Sequence, residues 1–103
     1  MSVKRIDEIE WEKTDYGKRK TLANMELGIP AIVRYVVIEG TVDPHSHPHG
    51  EIIVVLKGEG KVIFEGWEKE IKPGDIILIP PNTKQGIKKT GKEDVEAIAI
   101  LPG

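Results

Sequence analysis

Residues 40–58 read Gly-Thr-Val-Asp-Pro-His-Ser-His-Pro-His-Gly-Glu-Ile-Ile-Val-Val-Leu-Lys-Gly. The second half of this stretch, Ile52 to Leu56, is an unbroken aliphatic and mostly β-branched run. Pro44, Pro48 and Gly50 bound it upstream and Gly58 bounds it downstream, which is the pattern of a strand and too short for a helix. The first half gathers all three histidines of the chain within five residues, at His45, His47 and His49, with Glu51 at the strand's threshold.

Working outward, the same kind of run recurs at Ile32-Val33, Val36–Ile38, Val62–Phe64, Ile76–Ile79 and Val95–Ile100. Turn-forming residues separate the runs: Gly40, Gly58-Glu59-Gly60, Glu65-Gly66, Pro73-Gly74-Asp75, Pro80-Pro81-Asn82 and Gly91. Helical periodicity is scarce, so the chain is expected to be all-β, with strands close enough in sequence for a sandwich or barrel. The N-terminal third is less defined: Ile6, Ile9 and Trp11 fit a helical turn or a strand, and no function is assigned there. The polar stretch Lys84 to Asp94 is expected to form an exposed strand and turn, its lysines protecting a sheet edge rather than attracting an acidic partner.

With 103 residues the chain is expected to be one domain, 1–103, in which about 30 N-terminal residues lead into the β core. No apolar run approaches the length of a membrane span, and the charged opening Met-Ser-Val-Lys-Arg-Ile-Asp-Glu-Ile-Glu is no signal peptide, so a cytoplasmic protein is expected. Fifteen Lys and Arg against 17 Asp and Glu give a formal charge of −2. That balance supplies no basic field for nucleic acid or anionic membrane, and small neutral or mixed-charge partners fit better. The absence of cysteine rules out disulfides and restricts any metal site to nitrogen and oxygen ligands. Charged residues make up 31% of the chain, chiefly Lys and Glu, a composition similar to that of thermophile proteins.

In a strand, side chains two apart share a face, so His45 and His47 would approach one ion from adjacent pleats. Glu51, four residues beyond His47, keeps that parity. Two imidazoles and one carboxylate form the facial set that leaves coordination positions open on a divalent metal. The plainer reading, three histidines decorating a solvated loop between Pro44, Pro48 and Gly50, stays open at this level.

The segment resembles the first motif of the cupins: a glycine, His-x-His, then three or four residues leading to a glutamate, and six more leading to a glycine. His45-Ser46-His47, Glu51 and Gly58 stand at those spacings, and Gly40 is one residue nearer the histidines than expected. The second motif is matched in part by Gly74, Pro80 and Asn82, with Lys89 where asparagine is common. Asn82 replaces the usual glycine, a residue that also tolerates a left-handed backbone. Gln85 stands where the family has its last histidine. Fifteen residues, Glu59 to Pro73, separate the two motifs, at 40–58 and 74–89, and the resemblance spans Gly40 to Lys89.

The resemblance implies a double-stranded β-helix, a jelly-roll barrel, with a metal held by His45, His47 and Glu51. Gln85 is the implied fourth ligand, with His49, of matching parity, as its alternative and water as a third possibility. A donor set of imidazole, carboxylate and amide oxygen favours Mn or Fe, with Zn or Ni also compatible. Beside the metal the family has a pocket for a small molecule, for which Met25, Arg34, Tyr35, Phe64 and Ile100 are candidate inward residues. Arg34 would suit an anionic ligand, though an outward arginine is the commoner case. Trp11 and Trp67 belong to an interface or cap the core. Three functions remain: an Fe- or Mn-dependent oxygenase- or isomerase-type enzyme, a non-catalytic ligand-binding module, or a structural cupin working as a homodimer.

Overall fold

The computed structural model describes residues 1–103. Ten strands follow in order: β1 (Glu12–Lys13), β2 (Gly17–Asn24), β3 (Ala31–Ile38), β4 (Thr41–His45), β5 (Glu51–Lys57), β6 (Gly60–Phe64), β7 (Trp67–Ile71), β8 (Ile76–Ile79), β9 (Gln85–Lys89) and β10 (Val95–Pro102). Two single 3₁₀ turns, Ile6–Glu8 and Glu26–Gly28, are the only helical pieces, as the shortage of helical periodicity predicts. All strand pairs are antiparallel. They form a six-stranded sheet, β1-β2-β3-β10-β5-β8, and a four-stranded sheet, β4-β9-β6-β7.

Alternation decides what lies between the sheets. On the large sheet, Val36 and Ile38, Ala97 and Leu101, Ile53 and Val55, and Ile77 and Ile79 are buried; Val62, Ile71 and Ile87 meet them from the small sheet. Burying each aliphatic side chain is worth about 1.5–3 kcal/mol, so this single cluster is the main source of stability. The expected all-β jelly roll is therefore present. Its two sheets face one another as layers, with β1, β8, β4 and β7 at their edges, rather than closing into one hydrogen-bonded ring.

Three details depart from the sequence reading. β3 joins two apolar runs across Arg34 and Tyr35, because opposite faces of one strand take those side chains. β9 is no exposed edge: it lies between β4 and β6, with Gln85, Gly86 and Ile87 buried, and only its lysines reach solvent. The N-terminal third supplies a full strand, β2, paired along most of β3. Its sequence, Gly-Lys-Arg-Lys-Thr-Leu-Ala-Asn, hides this because long amphipathic side chains stand where aliphatic ones would mark a strand.

Candidate metal centre

Both motif segments are held by backbone contacts before any side chain is considered. β4 ends at His45, which stands directly opposite Gln85 at the start of β9, and the pairing is irregular between Val42 and His45. The strands approach so closely that a Cβ on Gly86 would lie 2.5 Å from the Val42 carbonyl oxygen and 2.9 Å from the Pro44 nitrogen. Only glycine fits there. Beyond β4 the chain leaves the sheet, so His47 sits in a proline-bounded loop instead of continuing the strand. The loop is fixed by Asn82, whose N–H donates to the His47 carbonyl at 2.7 Å. Asn82 has φ +58°, the left-handed turn expected of the asparagine that replaces glycine. Glu51 then opens β5 and points inward in phase with Ile53 and Val55.

These elements line a partly open cavity of about 230 Å3 between the sheets, with His45 on its exposed side. His45, His47, Glu51 and Gln85 all line it, so residues expected to act together are brought together from β4, the following loop, β5 and β9. His49 is absent from the lining; its ring stacks on that of His47 with centroids 4.7 Å apart. Of the candidate ligand-pocket residues only Arg34 enters the cavity. Tyr35 and Ile100 have the opposite parity to Arg34 and Ala99 and face outward, Met25 lies in the turn after β2, and Phe64 stacks on Trp67 at 4.5 Å. Tyr16 and Arg19 also line the cavity and were not anticipated. No apolar alternation marks β2; Arg19 is placed by its pairing with β3, where it lies opposite Val36, and Tyr16 lies in the bend just before β2.

The electrostatics suit ligation. The His45 Nδ1 lies 2.9 Å from the Asp43 carbonyl oxygen. Because a carbonyl only accepts, the neutral ring carries its proton on Nδ1 and presents Nε2 as the nitrogen for a metal. Burial, followed by the charges of His45, His49 and Arg34, holds the His47 imidazole below its ordinary pKa. Burial pushes the Glu51 carboxyl above the usual range, an effect that the positive charges of His45, His49 and Arg34 partly oppose. A cation in the cavity would offset that desolvation.

The donors fit a divalent metal in kind. The His45 and His47 ring centroids are 4.8 Å apart. Two imidazoles at right angles on one ion, each with a metal–nitrogen distance of about 2.1 Å, would place their centres at roughly 4.6 Å. As the side chains stand, no three His, Cys, Asp or Glu residues converge into a complete ligand group. Bringing in the third donor therefore requires side-chain rotation within the cavity.

Residues 32–101 match the family model described as a cupin domain. The chain is a cupin. Among its relatives, an uncharacterized protein of Aquifex aeolicus strain VF5 is 29% identical over 103 residues, covering 97% of this chain and 84% of the relative. The polyketide cyclase RemF of Streptomyces resistomycificus superposes on this cupin with a TM-score of 0.88 at 18% identity, covering 99% of this chain and 79% of RemF, a likeness of fold alone. A predicted oxalate decarboxylase of Thermotoga maritima superposes with a TM-score of 0.83 at 25% identity, covering 98% of both chains.

Proposed function

We propose that this cupin binds one divalent metal through His45, His47 and Glu51, with Gln85 as the fourth donor, and acts on a small molecule held in the adjoining cavity. The observation that carries this reading is that all four residues, drawn from separate segments, line one cavity. The nitrogen and oxygen donors favour Mn or Fe over Zn or Ni. A bound ion would supply Lewis acidity or a seat for dioxygen, the chemistry of an oxygenase- or isomerase-type enzyme. The chain's own groups orient the ligand: aliphatic side chains from both sheets flank the donors, and the His45–Asp43 contact fixes one imidazole. The likeness to a predicted oxalate decarboxylase supports an enzymatic role.

A second reading, a non-catalytic ligand-binding module, is favoured by one observation. His49, the remaining histidine, does not line the cavity, which leaves Tyr16 as the lining side chain with a proton to exchange outside the donor set and the arginines. Calorimetric titration of chelator-treated protein with Mn(II), Fe(II) and Zn(II), followed by oxygen-uptake assays, tests the proposal. One ion per chain, lost in His45→Ala and Glu51→Ala, is expected; absence of stoichiometric binding in the wild type overturns it.

We further infer a homodimer. Register aligns Ile98, Val54 and Ile76 in one outward row on β10, β5 and β8, and Ile100, Ile52 and Leu78 in the next. Ile76 and Leu78 are 63% and 69% exposed. A flat aliphatic sheet face of this kind is covered when an identical face packs on it about a two-fold axis. Sedimentation should give a dimer that Leu78→Lys converts to monomer, and a monomeric wild type at tens of micromolar refutes the inference.

A further inference from the structure

Arg34 is the cavity charge that the proposed metal site leaves without a partner. It points inward from β3, between Thr21 on β2 and Ala99 on β10, small neighbours that leave room for a guanidinium. Its Nε is buried and has no hydrogen-bond partner, and Arg34 belongs to none of the chain's ion pairs. A buried N–H of a charged group without an acceptor is costly and uncommon, so the position calls for one from outside the chain. Arg19 lines the same space; its Nε is held 3.2 Å from Glu12, while its remaining N–H groups add to the positive field. Glu51 is the single acidic residue of the lining. Once it serves a metal, Arg34 faces a ligand space that holds no other negative charge.

The rest of the wall includes Val36, Ile38, Ile53, Ile87 and Leu101, which suit an aliphatic carbon skeleton. The volume suits a short one. At about 30 Å3 per water, 230 Å3 corresponds to seven or eight waters, or roughly eight non-hydrogen atoms, before any metal takes its share.

We propose that the cavity takes a short aliphatic carboxylic acid of about two to four carbons, its carboxylate held on the planar fork of Arg34. This rests on the metal-site reading in assigning Glu51 to the ion. Arg34 is then the residue that determines specificity, selecting acids over neutral molecules of equal size, because an amide or alcohol cannot neutralise the guanidinium.

The test measures binding of lactate and malonate, with lactamide and malonamide as neutral counterparts, by amide-resonance shifts and calorimetry in chelator-treated and Mn(II)-loaded protein. Metal affinity is measured in parallel. The acids should bind the wild type and the amides should not. Arg34→Met, of similar length, should weaken the acids by roughly ten- to a hundredfold, and Arg34→Lys, which keeps the charge but not the fork, by less. Arg34→Met should still bind one Mn(II) per chain, showing that the variant is folded and its donors are in place. Acids no tighter than amides, or acid binding unchanged in Arg34→Met, would overturn the inference and leave the metal site standing. Failure of the wild type to bind Mn(II), with lactate still captured through Arg34, would overturn the metal reading and leave this one standing.

Discussion

Replacing Gly86 by alanine should cost both stability and metal affinity, since this residue sets the separation of the strands bearing His45 and Gln85. The added Cβ would lie 2.5 Å from the Val42 carbonyl oxygen, and reaching the 3.0 Å floor of real Cβ contacts requires a retreat of about 0.5 Å. The obstacles are backbone atoms of Val42 and Pro44 on β4, so no flexible side chain can absorb the strain. Overpacking of this kind costs about 1–3 kcal/mol, which for a domain of this size lowers the melting temperature by roughly 5–20 °C. Metal–ligand distances hold within about 0.2 Å, so moving β4 by more than twice that should weaken metal binding at least tenfold. Gly40→Ala is the control, because Gly40 has ordinary φ and its Cβ would meet nothing within 4 Å. Differential scanning calorimetry and metal titration of both variants measure the two effects. A Gly86→Ala melting temperature within about 2 °C of that of Gly40→Ala, less than a 1 kcal/mol change produces, would refute the reasoning.

Gln85→His should raise metal affinity by about tenfold, since imidazole is the stronger donor, while His49→Ala should leave it nearly unchanged because His49 is outside the cavity; the reverse pattern in calorimetric titration would make His49 the fourth ligand. The Tyr35 hydroxyl donates to the Glu96 carboxylate, and this bond, with burial and the negative charge of Glu96, pushes its pKa up to about 12. The stabilisation is fully present below the ordinary tyrosine value near 10 and is lost as pH rises through 12. Absorbance titration of a Tyr16→Phe protein should show this, and Glu96→Gln should return the midpoint toward 10; a wild-type-like midpoint in Glu96→Gln would contradict it. Val55→Ala, at a side chain only 1% exposed in the centre of the core, should lower stability by about 2–3 kcal/mol in denaturant unfolding, and a change under about 0.5 kcal/mol would mean that the core is repacked.

The runs Ile52–Leu56, Ile76–Ile79 and Val95–Ile100 were legible as strands because both their neighbours and their turns are written locally. The grouping of His45, His47 and Glu51 was legible too, but for a partly different reason from the one parity supplied. A continuous strand would have aligned His45, His47 and His49 alike, whereas the chain leaves the sheet after His45 and the Asn82 contact seats His47. Parity consequently placed His49 beside the cavity, and the loop turned it away.

Residue order by itself determined an all-β chain, the turn positions, the left-handed Asn82 and a histidine–glutamate cluster beside an apolar strand, since each depends on residues near one another in the chain. Tertiary structure alone decided that β9 lies inside a sheet, that β2 and the residue before it contribute Arg19 and Tyr16, and that Arg34 rather than Tyr35 faces the donors. Those outcomes depend on which strand pairs with which and in what register, and a one-residue slip in register would exchange the two faces of a strand. Such pairings are settled by burying the largest apolar area across the whole chain, a sum that no local stretch of sequence contains.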